Sequence, residues 1–184
     1  MVMSTTISFV EPERRSDALR LLFSRFPADE RESRLEEALK SAGRGTLNLD
    51  GLLLAEENGV PVSAALTMLQ RDGVTLVWPP VVSPQAVDAT GVEEALMARI
   101  CDEIDRTGSK LAQVLLAPDD TKETELLLRF GFEHLADMFF MARGLSRDEI
   151  GESEVEDELE HVIYTEGDSE RFASVIERTY ERSL

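Results

Sequence analysis

Side chains that commonly act as nucleophiles or metal ligands are scarce in this sequence and far apart. It contains one cysteine, Cys101, and two histidines, His134 and His161. Catalytic and metal sites group such residues with carboxylates at defined spacings, and none of the three shows such a grouping. Cys101 lies inside a predicted helix, where an inert thiol is expected, and each histidine adjoins a predicted strand, where a structural role is expected. The pattern therefore predicts neither a metal site nor a cysteine nucleophile.

Two adjacent carboxylates, Glu56 and Glu57, are the remaining candidates for proton transfer. They come just before Asn58-Gly59, a dipeptide that favours a tight hairpin turn because both residues tolerate positive φ. Side chains beside such a turn are usually solvated. We therefore expect both carboxylates at the protein surface rather than in the role of a general base.

The composition limits the classes of partner. The chain has 184 residues, of which 42% are hydrophobic, enough for one ordinary domain with a buried core. A formal net charge of −18 repels nucleic-acid phosphates and anionic lipid, so no nucleic acid and no membrane partner are expected. No apolar run is long enough to cross a bilayer, and a single cysteine fits a reducing compartment. We expect a soluble, cytoplasmic protein.

The first half of the sequence predicts a strand, two helices and three further strands. Apolar residues recur at helical spacing in the helices, and proline or glycine ends most elements. Tight turns between the three strands indicate an antiparallel meander. The predicted elements are a strand at Thr6–Val10, helices at Arg14–Phe26 and Ala28–Ser41, and strands at Leu52–Ala55, Pro61–Gln70 and Val74–Trp78.

The second half predicts helices and strands in alternation. The helices are expected to end at glycines, and Asp120 with Glu123 fits a capping box at the start of the shorter helix. The predicted elements are a helix from Gly91 or Val92 to Thr107, a strand at Gln113–Ala117, a helix at Asp120–Phe130 and a strand at Phe132–Arg143. The side chains expected on the buried face of the longer helix are Ala95, Leu96, Ile100 and Ile104.

The order of these elements resembles the GNAT superfamily of N-acetyltransferases over residues 5–145. Two local features add to the resemblance: Phe130-Gly131-Phe132 is similar to the family's step into its sixth strand, and Met138–Arg143 is similar to the apolar strand that closes the domain. The resemblance implies an α/β (α+β) fold, with a mixed, mostly antiparallel central sheet flanked by helices and a splay between the fourth and fifth strands. It also implies transfer of an acetyl group from acetyl-CoA to an amine of a small molecule or a peptide.

The resemblance further implies where acetyl-CoA binds. The pantetheine arm enters the splay, between Val74–Val82 and Gln113–Ala117, and pairs with backbone groups of the former segment. The pyrophosphate lies at the N-terminus of the following helix, where free N–H groups and the helix dipole favour anions. The implied cofactor-binding positions are Val81, Val82, Asp88, Ala89, Thr90, Gly91, Val92 and Glu93.

The sequence departs from the family's phosphate loop, Gln/Arg-x-x-Gly-x-Gly/Ala. Gly91 matches the first glycine, but Asp88 replaces the leading residue and Glu93 replaces the final small residue. Carboxylates in the first helical turn compete with a pyrophosphate for the same N–H groups. Leu127 stands where many members carry the tyrosine that protonates the leaving thiolate. The alternative to an active enzyme is therefore a catalytically degenerate GNAT-like module with weak or no coenzyme A binding, which pairs with a catalytic half or self-associates as a homodimer.

The run Trp78-Pro79-Pro80 permits two interpretations. Proline has no N–H group and removes donors from a strand ladder. The run either stops the fourth strand, or it enforces the splay and lines an acceptor pocket together with Trp78.

The C-terminal part is predicted to be separate from the GNAT-like domain at 1–145. Residues 146–158 are rich in Glu and Asp and predict a solvated linker. Residues 159–184 predict a strand at Leu159–Thr165 and a helix at Asp168–Ser183, which repeats the pattern at the start of the chain. This segment is either the start of a truncated second GNAT domain, as in tandem GNAT proteins, or the seventh strand of the single domain with a trailing helix.

Overall fold

A computed structural model describes residues 5–138 and 165–180 of the chain. The chain divides into two compact units, residues 1–135 and residues 136–184, and each is described by itself. In the first unit the strands are β1 (Thr5–Phe9), β2 (Leu52–Glu57), β3 (Val60–Leu69), β4 (Val74–Val82) and β5 (Leu111–Gln113). The helices of this unit are α1 (Arg15–Leu22), α2 (Ala28–Gly43), α3 (Ala89–Thr107) and α4 (Thr121–Arg129), with short 3₁₀ turns at Pro12–Arg14 and Phe23–Arg25.

The described strands form one sheet in the order β1-β2-β3-β4-β5. Neighbouring strands are antiparallel from β1 to β4, and β5 runs parallel to β4. Asn58 and Gly59 adopt φ of 52° and 79° in the turn between β2 and β3, which is the hairpin that the sequence predicts. The mixed, mostly antiparallel sheet implied by the GNAT resemblance is confirmed.

Helices cover both faces of the sheet because its central strands carry apolar residues on both sides. In β2, Leu52 and Leu54 pack in the cluster under α1 and α2, whereas Leu53 and Ala55 pack in the cluster under α3 and α4. Alternate side chains of a strand point to opposite faces, which explains the division. The continuous apolar run Leu52–Ala55 is therefore buried throughout.

β4 continues past its two prolines, so the interpretation that Pro79 and Pro80 stop the strand is wrong. The register with β3 shows why the prolines are tolerated. The pairs on either side are Leu66–Trp78 and Ala64–Val81, which leaves both prolines opposite the single residue Ala65. This is a β-bulge, where the ladder is already interrupted and a missing N–H removes no regular hydrogen bond.

β5 is shorter than predicted and lies earlier in the chain. It pairs with β4 over Val74–Leu76 and Leu111–Gln113, so it overlaps the predicted strand Gln113–Ala117 at Gln113 alone. Past Leu76, β4 continues to Val82, whereas the segment after Gln113 forms no strand. We call the region where these two segments are no longer paired the gap. Within the described residues no other strand fills it.

α3 starts earlier than predicted, at Ala89, with Asp88 as its N-cap. It ends as predicted before Gly108, whose φ of 66° suits a glycine. Of the predicted buried face, Ala95 is wrong because it is exposed, and Ile104 is only half-buried. Glu93 and Glu103 lie on the buried face of α3, and a pattern of apolar residues cannot predict buried carboxylates. The buried residues of α3 are Val92, Glu93, Leu96, Met97, Ile100 and Glu103.

α4 begins after Asp120, but the predicted capping box is wrong because no side chain caps the helix. The Asp120 carboxylate instead accepts hydrogen bonds from the Ala117 N–H at 2.9 Å and from the Arg25 guanidinium at 2.9 Å. At the other end, Gly131 adopts a φ of 82° and ends the helix as predicted. The hydrogen bonds of a Schellman motif satisfy the last carbonyls there.

Predictions for the end of the chain fall mostly outside the described residues. The strand predicted at Phe132–Arg143 is absent from its described part, residues 132–138. The linker at 146–158 and the strand at Leu159–Thr165, apart from Thr165, lie outside the described residues. The second unit contains the predicted helix as α5 (Ser169–Tyr180), preceded by a 3₁₀ turn at Glu166–Asp168 with a capping box. The boundaries at 145 and 158 stay predictions.

Candidate functional site

The gap exposes backbone groups at the end of β4. Ser83 donates its N–H to the Val62 carbonyl of β3 at 2.7 Å. Successive residues of an antiparallel strand direct their backbone groups to opposite sides. Val81 therefore faces β3, where its carbonyl also accepts the Ser63 hydroxyl at 3.0 Å. Val82 directs its N–H and C=O away from β3, towards the gap.

The start of α3 is capped by a carboxylate of its own segment. Asp88 accepts the Gly91 N–H at 3.0 Å through its side chain and the Val92 N–H at 3.0 Å through its carbonyl. A Cβ at position 91 would lie 2.2 Å from an Asp88 carboxylate oxygen, so the glycine makes room for the cap. Within the described residues, no acceptor contacts the N–H groups of Ala89 and Thr90, both of which are exposed.

Glu57 holds the loop that leads into α3. Its carboxylate accepts the N–H of Val87 at 2.9 Å and that of Asp88 at 3.3 Å. Glu57 is 6% exposed, so the expectation that it lies at the surface is wrong. The alternation along β2 places it on the same face as Leu53 and Ala55. The period-two pattern assigns the face on which Glu57 lies, but its burial depends on the distant loop before α3, which no local pattern shows.

Glu56 faces the other side of the sheet and forms an ion pair with Arg14 at 2.8 Å. Its side chain is 16% exposed, so it is not the surface residue that was expected. The hydrogen bond and the charge of Glu56 raise the pKa of the Arg14 guanidinium, because both favour its protonated form. Glu56 is engaged in a structural ion pair and is a poor candidate for a general base.

A cleft of about 490 Å³ opens between the first turn of α3 and α4. Lys122 of α4 contacts the Glu93 carboxylate at 2.9 Å, and Arg129 contacts Glu94 at 2.7 Å. Glu93 thus engages a lysine rather than the N–H groups of its own helix. The Glu93 side chain is 8% exposed and that of Lys122 is 70% exposed, so the lysine stands at the mouth of the cleft. The lining residues are Thr90, Glu93, Lys122, Glu125, Leu128 and Arg129.

On the opposite face of the sheet, the turn Phe23–Arg25 reaches both sides of the gap. Phe23 packs on Trp78 of β4 with 5.9 Å between ring centroids, and Arg25 pairs with Asp120, beyond β5, at 2.9 Å. Trp78 therefore packs against the core under α1. Its role in an acceptor pocket stays a prediction.

The other residues singled out in the sequence form no site in the described part of the chain. Leu127, at the position of the family's tyrosine, is buried in the core beside α3. His134 is exposed and lies outside any strand, and His161 lies outside the described residues. Among residues 5–138 and 165–180, no group of His, Cys, Asp and Glu could hold a metal ion. No described helix is long and apolar enough to cross a membrane.

Cys101 is expected to react slowly with thiol reagents. It is half-buried on α3, and burial, followed by the charges of Asp105 and Asp102, raises its pKa. At pH 8 a disulfide reagent should modify the native chain more slowly than the urea-unfolded chain, because less thiolate is present. The difference should close only well above the ordinary thiol pKa. The same shift should lower the free energy of unfolding as pH rises through that pKa, since the unfolded chain releases its proton first. Equal rates in both states would contradict this account.

The fold of the chain is similar to that of several solved structures of acetyltransferases. No protein-family model and no curated protein sequence matches the chain. An aminoglycoside N-acetyltransferase, AAC(6')-Iy in complex with CoA, is 17% identical over 78% of this chain and 97% of that one, with a TM-score of 0.56. The ribosomal-protein-S18-alanine N-acetyltransferase from Escherichia coli is 17% identical over 72% of this chain and 80% of that one, with a TM-score of 0.56.

A third solved structure adds the same result from another organism. The PaiA N-acetyltransferase from Thermoplasma acidophilum, in complex with coenzyme A, is 14% identical over 71% of this chain and 91% of that one, with a TM-score of 0.55. At such low identity the similarity concerns the fold. The chain therefore has the fold of the GNAT acetyltransferases, as the order of its strands and helices predicts.

Proposed function

We propose that the chain binds acetyl-CoA through the gap and transfers its acetyl group to an amine. The observation that carries the proposal is the gap itself. β4 and β5 are paired only as far as Leu76 and Gln113, and Val82, beyond this point, directs its N–H and C=O into the space. The pantetheine arm of coenzyme A carries amide groups, which can satisfy such unpaired backbone groups.

The phosphate groups of coenzyme A are proposed to lie at the start of α3, in the cleft beside α4. Ala89 and Thr90 offer N–H groups there, at the positive end of the helix dipole. Lys122 and Arg129 line the same cleft and supply positive charge. The same lining also holds Glu93 and Glu125, so the phosphates must compete with carboxylates of the chain, whose net charge is −18, for the two basic side chains.

The acceptor is proposed to be an amine of a small molecule or a peptide. It approaches from the face covered by α1 and the turn Phe23–Arg25, since the phosphates occupy the other face. The neutral amine attacks the thioester carbonyl carbon, the C–S bond breaks, coenzyme A leaves as its thiolate and the amine nitrogen gives up a proton to water. Leu127 has no proton to donate, so solvent protonates the thiolate and turnover is expected to be slow. The acidic surface favours acceptors with positive charge.

A specific observation favours the alternative, a module that has lost coenzyme A binding. The N–H groups of Val87, Asp88 and Gly91 already donate to carboxylates of the chain. These N–H groups are therefore not free to bind a phosphate, and Leu127 at the tyrosine position provides no general acid. Such a module is proposed to pair with a catalytic GNAT domain or with a second copy of itself.

Two measurements on the native chain separate these functions. Calorimetric titration with acetyl-CoA should give a dissociation constant between about 1 μM and 1 mM if the chain is a transferase. Release of free thiol should then increase when a polyamine, an aminoglycoside or a peptide with a free N-terminal amine is added. S-acetylpantetheine, which lacks the phosphates, should bind more weakly and serves as the control. Absence of both heat and amine-dependent release, with self-association in solution, would instead support the module.

A further inference from the structure

Two carboxylates of the chain accept hydrogen bonds from the loop before α3 and from its first turn, where the phosphates of coenzyme A are proposed to bind. The Glu57 carboxylate accepts two successive N–H groups, those of Val87 and Asp88. The Asp88 carboxylate accepts the Gly91 N–H within the first turn. Successive backbone N–H groups directed at one oxyanion are the arrangement that binds phosphates in proteins. In this chain two carboxylates occupy it.

Among the described acidic residues around the site, Glu57 is the one that is both buried and without a basic partner, since Asp88 and Glu125 are exposed. Glu93 and Glu94 are paired with Lys122 and Arg129, whereas within the described residues no basic side chain forms an ion pair with Glu57. Glu57 is also 6% exposed, so water screens its charge poorly. Its negative potential is therefore balanced mainly by the loop N–H groups and acts on whatever binds at the start of α3.

We propose that Glu57 sets the affinity of this loop for anions by acting as an internal competitor of the coenzyme A pyrophosphate. It does so in two ways. It occupies two amide donors of the loop, and its unpaired charge repels a second anion placed at the exposed N–H groups of Ala89 and Thr90. The proposal rests on the proposed function for the identity of the ligand, but inorganic pyrophosphate tests the anion site without any acetyl transfer.

The substitution Glu57→Gln removes the charge and keeps the shape of the side chain. Its amide oxygen can still accept one of the two N–H groups, so the loop keeps part of its anchor. A unit charge removed from a poorly screened position close to the ligand should tighten binding of coenzyme A and of inorganic pyrophosphate by at least about tenfold. Calorimetry at fixed ionic strength measures both affinities, and thermal unfolding verifies that the variant is folded.

Glu56→Gln is the matched control. It makes the same change in net charge one residue earlier, on the opposite face of the sheet, where Glu56 pairs with Arg14. Its affinity for pyrophosphate should equal that of the native chain. An equal gain in both variants would show an effect of total charge and overturn the proposal.

The outcomes distinguish this inference from the proposed function. Tighter binding by Glu57→Gln with no measurable binding by the native chain supports the inference and refutes the transferase. If the native chain binds measurably and Glu57→Gln binds more tightly, the result supports both the inference and the transferase. Unchanged or weaker binding by the variant overturns the inference and leaves the transferase standing if the native chain binds acetyl-CoA. Absence of binding in both chains overturns both.

If Glu57→Gln does not fold, amide NMR of the native chain titrated with inorganic pyrophosphate decides the matter. Competition requires the amide signals of Val87 and Asp88 to shift as the anion replaces the Glu57 carboxylate. Unchanged signals at these two positions at millimolar pyrophosphate overturn the inference.

Discussion

Replacing Gly51 by alanine is expected to destabilise the chain by about 3 kcal/mol or more. Gly51 precedes β2, and a Cβ at this position would lie 2.1 Å from the Thr67 carbonyl oxygen and 2.5 Å from its hydroxyl. The two backbones cannot move apart without loss of the hydrogen bond from the Thr67 N–H to the Gly51 carbonyl at 3.1 Å. Urea unfolding followed by circular dichroism measures the change in the free energy of unfolding.

Gly43→Ala is the matched control for this substitution. Gly43 is the last residue of α2, and a Cβ there meets nothing within 4 Å. Because glycine loses more conformational freedom than alanine when it becomes helical, this variant should be unchanged or more stable by up to about 1 kcal/mol. Comparable losses in the two variants would show that close approach to Thr67 is not the cause.

The second large effect concerns the proposed phosphate site. The double substitution Lys122→Glu and Arg129→Glu is expected to weaken coenzyme A binding by about 100-fold or more, if the native chain binds it. Charge-assisted hydrogen bonds contribute about 1.5–3 kcal/mol each, and the reversal also leaves Glu93 and Glu94 without their partners. Calorimetry gives the affinity, and thermal unfolding separates loss of binding from loss of fold.

The control for this prediction lies at the other end of α3. Arg106→Glu with Lys110→Glu makes the same change in net charge and likewise deprives a buried acid of its partner, since Arg106 pairs with Glu103 at 2.5 Å. That pair lies far along the helix from the cleft and should leave coenzyme A binding within a few-fold of the native value. A similar loss in both double variants would point to total charge, and no loss in the first would remove Lys122 and Arg129 from the proposed site.

Some of the architecture is encoded by short-range signals that could be recognised directly. The Asn58-Gly59 turn and the helix ends at Gly108 and Gly131 all depend on positive φ, which few residues adopt without strain. The apolar run Leu52–Ala55 predicts a strand, and its burial on both faces follows from an uninterrupted pattern. The mixed sheet was predicted through the resemblance of the order of elements to the GNAT superfamily.

The candidate site was predicted less completely. The eight cofactor-binding positions that the resemblance implies stay a prediction; among them, Ala89 and Thr90 have N–H groups that contact no acceptor in the described part of the chain, and Val82 directs its N–H away from β3. Glu57 was placed at the surface instead of under the loop. The hydrogen bond that reveals its position joins residues 30 apart in the chain, beyond the reach of any local pattern.

The sequence by itself therefore determined the turn at Asn58-Gly59, the helix ends at Gly108 and Gly131, and the strand at Leu52–Ala55. Tertiary structure decided where each strand meets its partner and which side chains reach a distant backbone group. Pro79 and Pro80 fit within β4 because the register with β3 places a bulge there. Asp120 binds Arg25, 95 residues away, instead of capping its own helix. Turns and helix ends depend on φ and on contacts between residues close in the sequence. The hydrogen-bond partners of Glu57 and Asp120, and the bulge that accommodates the two prolines, exist only after the sheet has assembled.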